Sequence, residues 1–98
     1  MRPWYLALVV VLDLGGCGGG PPVATPADAA RGHLALADLE EGRTLLLGKC
    51  SGCHAAPLPS ARPIRDWPRE LDDMGARAHL SRAQRQRIEA YLVTMAAP

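Results

Sequence analysis

Three stretches of the chain place apolar residues at the spacing of one helix face, and together they predict an all-α protein. The first begins at Leu34 or Asp38 and ends at Lys49, with leucines on one side and charged residues on the other. Gly42 lies in the middle of this helix, where glycine costs about 1 kcal/mol relative to alanine. A glycine at this position therefore needs a reason.

The other two helices follow a proline-rich stretch, residues 55–63, which can be neither helix nor sheet interior. The second helix is predicted to begin at Asp66, a possible cap, and to end at Gly75. The third begins at Ser81 with a capping-box sequence. One face of the second helix carries Trp67, Leu71 and Met74, and one stripe of the third helix carries Gln84 followed by the apolar residues Ile88, Tyr91, Leu92 and Met95.

The N-terminus has the composition of an export signal. Arg2 precedes an apolar run of nine residues, Trp4 to Leu12, which is too short to span a bilayer. Leu14-Gly15-Gly16-Cys17 then resembles the lipobox of bacterial lipoproteins, in which the cysteine receives lipid. Asp13 departs from that pattern, so an ordinary secretory signal is the alternative. The predicted location is periplasmic, with the protein anchored to the membrane by lipid on Cys17.

Residues 18–33 are rich in glycine, proline and alanine and show no periodic apolar face. Such a composition predicts a flexible tether. The chain is accordingly divided into a signal peptide at residues 1–17, a tether at residues 18–33 and a domain at residues 34–98.

The candidate chemistry lies in Cys50-Ser51-Gly52-Cys53-His54. Two thiols at this spacing can form thioethers with both vinyl groups of one haem, and His54 then directs a nitrogen at the iron. A redox disulfide would need an alternating strand and helix pattern, which is absent, and a zinc site would need a second ligand pair. The only other cysteine is Cys17. The motif therefore predicts one haem c, attached through Cys50 and Cys53.

From Asp38 to Met95 the chain resembles the class I c-type cytochromes. Gly42, Leu46 and Cys50 match the spacing of that family's first helix, in which the glycine lets the last helix cross at close range. Leu46 stands where an aromatic residue is commoner. The end of the third helix also matches, with Ile88, Tyr91 and Leu92 as the apolar, aromatic and leucine positions.

This resemblance implies that Met74 is the sixth ligand of the iron, opposite His54. In the family the ligand methionine precedes the last helix, and Tyr91 lies seventeen positions after Met74, as in the mitochondrial-type members. His79 is the competing ligand, whereas Met95 fits core packing better.

Two further residues are assigned candidate roles, and the first of these roles is implied by the same resemblance. A proline carbonyl, at Pro59 or Pro63, would accept a hydrogen bond from the second nitrogen of His54. Trp67 would bind the cofactor by touching the porphyrin edge or a propionate, and otherwise serves as a core residue.

The fold implied is a small cytochrome c-like one, with three to four helices around one haem. Only nineteen residues separate His54 from Met74, so the middle loops are reduced and more of the haem edge is exposed. That exposure would tend to lower the reduction potential. A domain this short often needs a staple to fold, and a buried porphyrin would provide one.

The function predicted is an exported monohaem carrier of single electrons that transforms no substrate. The alternatives are a haem sensor or peroxidase-like enzyme with an open iron position, and a haem subunit of a larger dehydrogenase complex. The net charge of +1 gives no argument for nucleic acid binding. An acidic redox partner could be attracted by seven arginines, or these could form a solvated, charge-balanced surface. They are Arg62, Arg65, Arg69, Arg77, Arg82, Arg85 and Arg87.

Overall fold

The computed structural model describes residues 20–50 and 55–97. Within these two ranges the chain forms four α-helices, two short 3-10 helices and no strand, which confirms the all-α prediction. The α-helices are α1 (Pro26–Gly32), α2 (Leu36–Lys49), α3 (Trp67–Arg77) and α4 (Arg82–Ala96), and the 3-10 helices cover Pro59–Ala61 and Ile64–Asp66. None of the helices described is both long and apolar enough to cross a membrane.

The core is built on the crossing of α2 and α4 at Gly42. A Cβ atom added to Gly42 would lie 2.2 Å from the carbonyl oxygen of Arg87 and 2.9 Å from the Cβ atom of Tyr91. The two backbones therefore approach as closely as the resemblance implied, and only glycine fits. Fully buried side chains surround the crossing: Leu39, Leu46, Trp67, Leu71, Ile88, Tyr91 and Leu92.

The helix ends agree with most of the expected capping. The Ser81 hydroxyl accepts a hydrogen bond from the Gln84 backbone nitrogen at 3.1 Å, and the Gln84 side chain accepts one from the Ser81 nitrogen at 2.9 Å. This reciprocal pair confirms the predicted capping box. Asp66 is the N-cap residue of α3, although its side chain caps no backbone N–H. The helix continues past Gly75, the predicted stop, for two more residues before the turn to α4.

The structure of residues 20–33 does not agree with the flexible tether predicted at residues 18–33. Residues 20–33, here called the N-terminal arm, contain α1 and pack against the other helices, with Ala24 and Ala29 in the core. Thr25 and Asp28 form a capping box that starts the helix. The sequence pattern missed this helix because its buried residues are alanines, which give little apolar contrast.

Tyr91 connects α4 to the N-terminal arm, since its hydroxyl donates a hydrogen bond to the Pro22 carbonyl. Burial raises the pKa of Tyr91 to about 12. An unfolded tyrosine ionises near pH 10, so the unfolded chain loses its proton first as the pH rises. We expect the free energy of unfolding to fall between about pH 10 and pH 12 as the Tyr91 phenol ionises. The variant Tyr91→Phe should lack this contribution to the fall.

Thermal unfolding of both proteins across this pH range measures the difference. Below pH 10 the two stability curves should run parallel, because the phenol is neutral in both states. Equally steep alkaline losses in the two proteins would contradict the assignment to Tyr91.

Candidate haem site

The first cysteine of the motif lies at the end of α2, within the core. Cys50 is the C-cap residue of α2, and its backbone nitrogen donates to the Leu46 carbonyl at 3.0 Å. Its side chain is buried within the same apolar cluster as Leu46, Trp67 and Leu71. Burial raises the pKa of the Cys50 thiol, so the thiol is neutral near pH 7. The sulfur is therefore held in an apolar environment.

The rest of the motif, residues 51–54, lies outside the described residues. The roles predicted for Cys53 and His54 accordingly stay predictions. Ala56, two residues after the motif, is partly buried and packs against the core. Among residues 20–50 and 55–97, no three His, Cys, Asp or Glu side chains come together as a metal-binding group.

The candidate axial ligands differ in their surroundings. Met74, on α3, is partly buried and packs against the cluster that contains Cys50. Met95 packs against the same cluster from α4, so burial alone does not separate the two methionines. His79 lies in the turn between α3 and α4, with its side chain exposed and a left-handed backbone at φ 55°. Of the two candidate ligands, Met74 is the one that packs against the apolar core.

Trp67 is fully buried, and its indole nitrogen donates a hydrogen bond to the Pro59 carbonyl at 3.1 Å. The Pro63 carbonyl accepts one from the Asp66 backbone nitrogen at 3.0 Å. Both carbonyls that the resemblance offered to His54 thus already accept a hydrogen bond. A contact between Trp67 and the haem stays a prediction. The hydrogen bond from Trp67 to Pro59 connects α3 to the segment that follows the motif.

The arginine-rich surface is largely charge-balanced. Five of the seven arginines form ion pairs with carboxylates: Arg62 with Glu70, Arg65 with Asp66, Arg77 with Asp73, Arg85 with Asp72, and Arg87 with Asp38 and Glu41. Exposed pairs of this kind contribute little stability, typically about 0–1 kcal/mol. Arg69 and Arg82 have no carboxylate partner among the described residues. The paired arrangement favours the reading of a solvated, balanced helix face.

A comparison with protein families decides the kind of site. The model of the dihaem cytochrome c family matches residues 46–98, which is more than half of the chain. The chain belongs to the dihaem cytochrome c family. The match begins at buried Leu46 and includes the whole Cys50 to His54 motif, Trp67 and Met74. No curated protein and no solved structure matches this cytochrome.

Membership in this family confirms a c-type cytochrome and corrects the predicted cofactor. The prediction of one haem is wrong, because the family is dihaem and points to two. The C-x-x-C-H motif occurs once in these 98 residues, at positions 50–54, so named residues account for one of the two attachment sites. A local motif reveals the haem that it binds, and it carries no information on a second one.

The described residues of the cytochrome fit a covalently bound haem at this motif. The Cys50 thiol lies in an apolar cluster, an environment that suits an uncharged thioether, and the soft thioether of Met74 packs against the same cluster. A haem bound here would supply reversible one-electron chemistry at its iron. The chain's own contribution is the helical frame that fixes Cys50 and Met74 relative to each other.

Proposed function

We propose that the chain is an exported c-type cytochrome that carries single electrons between redox partners. The observation that carries this proposal is the Cys50 to His54 motif inside a match to the dihaem cytochrome c family. Cytochromes c are generally electron-transfer proteins. The buried position of Cys50 at the end of α2 supports attachment at this motif.

Each residue of the site has a role in this proposal. Cys50 and Cys53 would hold the porphyrin covalently, while His54 and Met74 would ligate its iron. Trp67 stabilises the segment after the motif through its hydrogen bond to Pro59. The helical frame that holds Cys50 and Met74 would keep the ligand positions similar in both oxidation states, so little rearrangement would accompany each electron transfer.

The location and partner belong to the same proposal. The apolar run and the lipobox-like sequence support export to the periplasm, with lipid on Cys17 holding the protein at the membrane. The partner would be another redox protein. Five of the seven arginines already pair with carboxylates within the chain, so Arg69 and Arg82 are the ones among them best placed to attract an acidic partner.

Haem attachment is tested by the double variant Cys50→Ser/Cys53→Ser, expressed in a host that matures c-type cytochromes. We expect the unmodified protein to keep haem after denaturing electrophoresis and the variant to lose the haem bound at this motif. Haem content per chain, measured as the pyridine haemochrome, counts the haems. Cys17→Ser is the matched control, and its haem content should be unchanged. A colourless unmodified protein would overturn the proposed function.

The axial ligand is tested by Met74→Ala, with Met95→Ala as the matched control. Both methionines are partly buried at the margin of the same core, so their packing losses should be comparable. We expect only Met74→Ala to remove the contribution of the haem at this motif to the weak near-infrared sulfur-to-iron band of the oxidised protein. An unchanged band would transfer the role to another residue. A strong spectral shift of the unmodified reduced protein with carbon monoxide would indicate an open iron position.

A further inference from the structure

The N-terminal arm is fixed to the helices by side chains from distant parts of the chain. Nε of Arg43, on α2, donates to the Pro21 carbonyl at 3.0 Å, and the Tyr91 hydroxyl, on α4, donates to the Pro22 carbonyl. Pro21 itself is buried. The start of the arm therefore lies against the crossing of α2 and α4, with its backbone carbonyls satisfied by the body of the domain.

The end of the arm is held equally closely, at the last turn of α4. Nη2 of Arg31 donates to the Thr94 carbonyl at 2.8 Å, a group that lacks a helical donor at a C-terminus. A Cβ atom on Gly32 would lie 3.0 Å from two atoms of the Thr94 side chain. Both ends of the arm are thus docked, and Ala24 and Ala29 between them are buried in the core.

This docking leaves very little free chain between a lipid on Cys17 and the folded domain. Three glycines separate Cys17 from buried Pro21. An extended chain advances at most about 3.6 Å per residue, so these four steps reach no more than about 14 Å. A tether that continued to residue 33 would reach about 60 Å by the same rule.

We propose that the N-terminal arm seats the domain directly on the lipid bilayer, with the arm side of the α2–α4 crossing facing the membrane. This inference rests on the lipid anchor of the proposed function. Val23 supports it, because this side chain follows the docked prolines and is 67% exposed, against 38% for Leu58 and 39% for Ile64. An exposed apolar side chain beside a short lipid anchor is suited to contact with the bilayer.

The seating would fix the height of the haem above the membrane. Cys50 lies seven residues beyond Arg43 along α2, which is about 10 Å at 1.5 Å per residue. The attachment site therefore keeps a constant relation to the arm and to the bilayer beneath it. A partner that suits this arrangement is a membrane-bound redox protein whose own centre lies near the bilayer surface.

The test compares the lipidated, haem-loaded protein with a variant that carries sixteen extra Gly/Ser residues between Gly20 and Pro21. Both are placed on supported bilayers of phosphatidylethanolamine and phosphatidylglycerol, and the linear dichroism of the haem band reports its orientation. We expect a preferred orientation in the unmodified protein and its loss in the insertion variant. Val23→Asp should weaken the dichroism, whereas Ile64→Asp, a matched exposed apolar site outside the arm, should leave it unchanged.

Mass spectrometry of the N-terminal peptide, together with a haem stain, is made on the same samples. An unmodified Cys17 would overturn the seating together with the lipid anchor, while electron carriage by a haem-positive protein would stand. A lipidated Cys17 with no dichroism, or with equal dichroism in the insertion variant, would overturn the seating alone.

Discussion

Replacement of Gly42 by valine is expected to prevent the domain from folding. A Cβ atom at this position would meet the Arg87 carbonyl carbon at 2.9 Å and its oxygen at 2.2 Å, and this neighbour is backbone that cannot turn aside. Overpacking of a core typically costs about 1–3 kcal/mol, and more where backbone must move. Here α2 and α4 would have to separate, which also exposes the leucines buried between them. Because the core of a domain this small rarely supplies more than about 3–5 kcal/mol of stability, such a loss is disabling.

Gly48→Ala is the matched control, since Gly48 lies on the same helix with nothing within 4 Å of its Cβ position. There the better helix propensity of alanine should stabilise the protein by up to about 1 kcal/mol. Circular dichroism during thermal unfolding measures both variants, and haem content shows whether the site still assembles. Similar melting temperatures for the two variants would contradict the close crossing.

Truncation of Trp67 to alanine is the second change with a large expected effect. The side chain is fully buried among Leu71, Ile88 and other core residues, and truncations of this kind cost about 3–5 kcal/mol. Trp67→Phe separates packing from hydrogen bonding, because it keeps a large ring and loses the N–H that the Pro59 carbonyl accepts. An unsatisfied buried carbonyl costs about 1–3 kcal/mol, so phenylalanine should fall between alanine and the native residue.

Denaturant unfolding of the haem-loaded protein measures these differences, with Ile64→Ala as the control. Ile64 lies three residues before Trp67 and is 39% exposed, so its truncation should change stability by less than about 0.5 kcal/mol. The midpoint potential of the haem gives a second readout. Pro59 lies five residues after His54, so release of its segment in Trp67→Phe should shift that potential. Full stability and an unchanged potential in Trp67→Phe would show that the hydrogen bond to Pro59 has no role.

Features that depend on neighbours in sequence were predictable. The capping box at Ser81, the apolar stripe of α4 and the place of Cys50 at the end of a helix all follow from spacing within one or two helical turns. The close approach at Gly42 was also predictable, because a glycine inside a good helix needs a reason and the resemblance offered one. In each case the residues that carry the signal lie within one element.

Features that depend on distant partners were not predictable. Arg43 and Tyr91 hold the N-terminal arm by donating hydrogen bonds to the carbonyls of Pro21 and Pro22. Every residue has a backbone carbonyl, so the sequence does not show which ones accept these bonds. The bond from Trp67 to Pro59 is similar, because a buried indole demands an acceptor without specifying which one. The second haem was not predicted for a related reason, because an attachment motif indicates only the haem that it binds.

Charge was the least predictable property of the surface. The arginines between Arg62 and Arg87 form a cluster along the sequence, and a basic patch was one of two readings. In the folded chain most of them face carboxylates from their own helix or from a neighbouring one, as Arg87 does with Asp38 and Glu41. The sign of a surface depends on which helices meet, and a linear sequence does not show that.

The hydrogen bonds from Tyr91 to Pro22 and from Arg31 to Thr94 join residues 69 and 63 positions apart. A polypeptide threaded through a translocation channel with its N-terminus first cannot make either bond until α4 has emerged. Pairings between residues so far apart also form slowly, because the chain must lose the entropy of the long loop between them. If the chain is exported as we propose, the cysteines of the motif would remain accessible to a maturation enzyme until α4 has emerged, and the order of assembly would be transport first, haem attachment second and closure of the fold last.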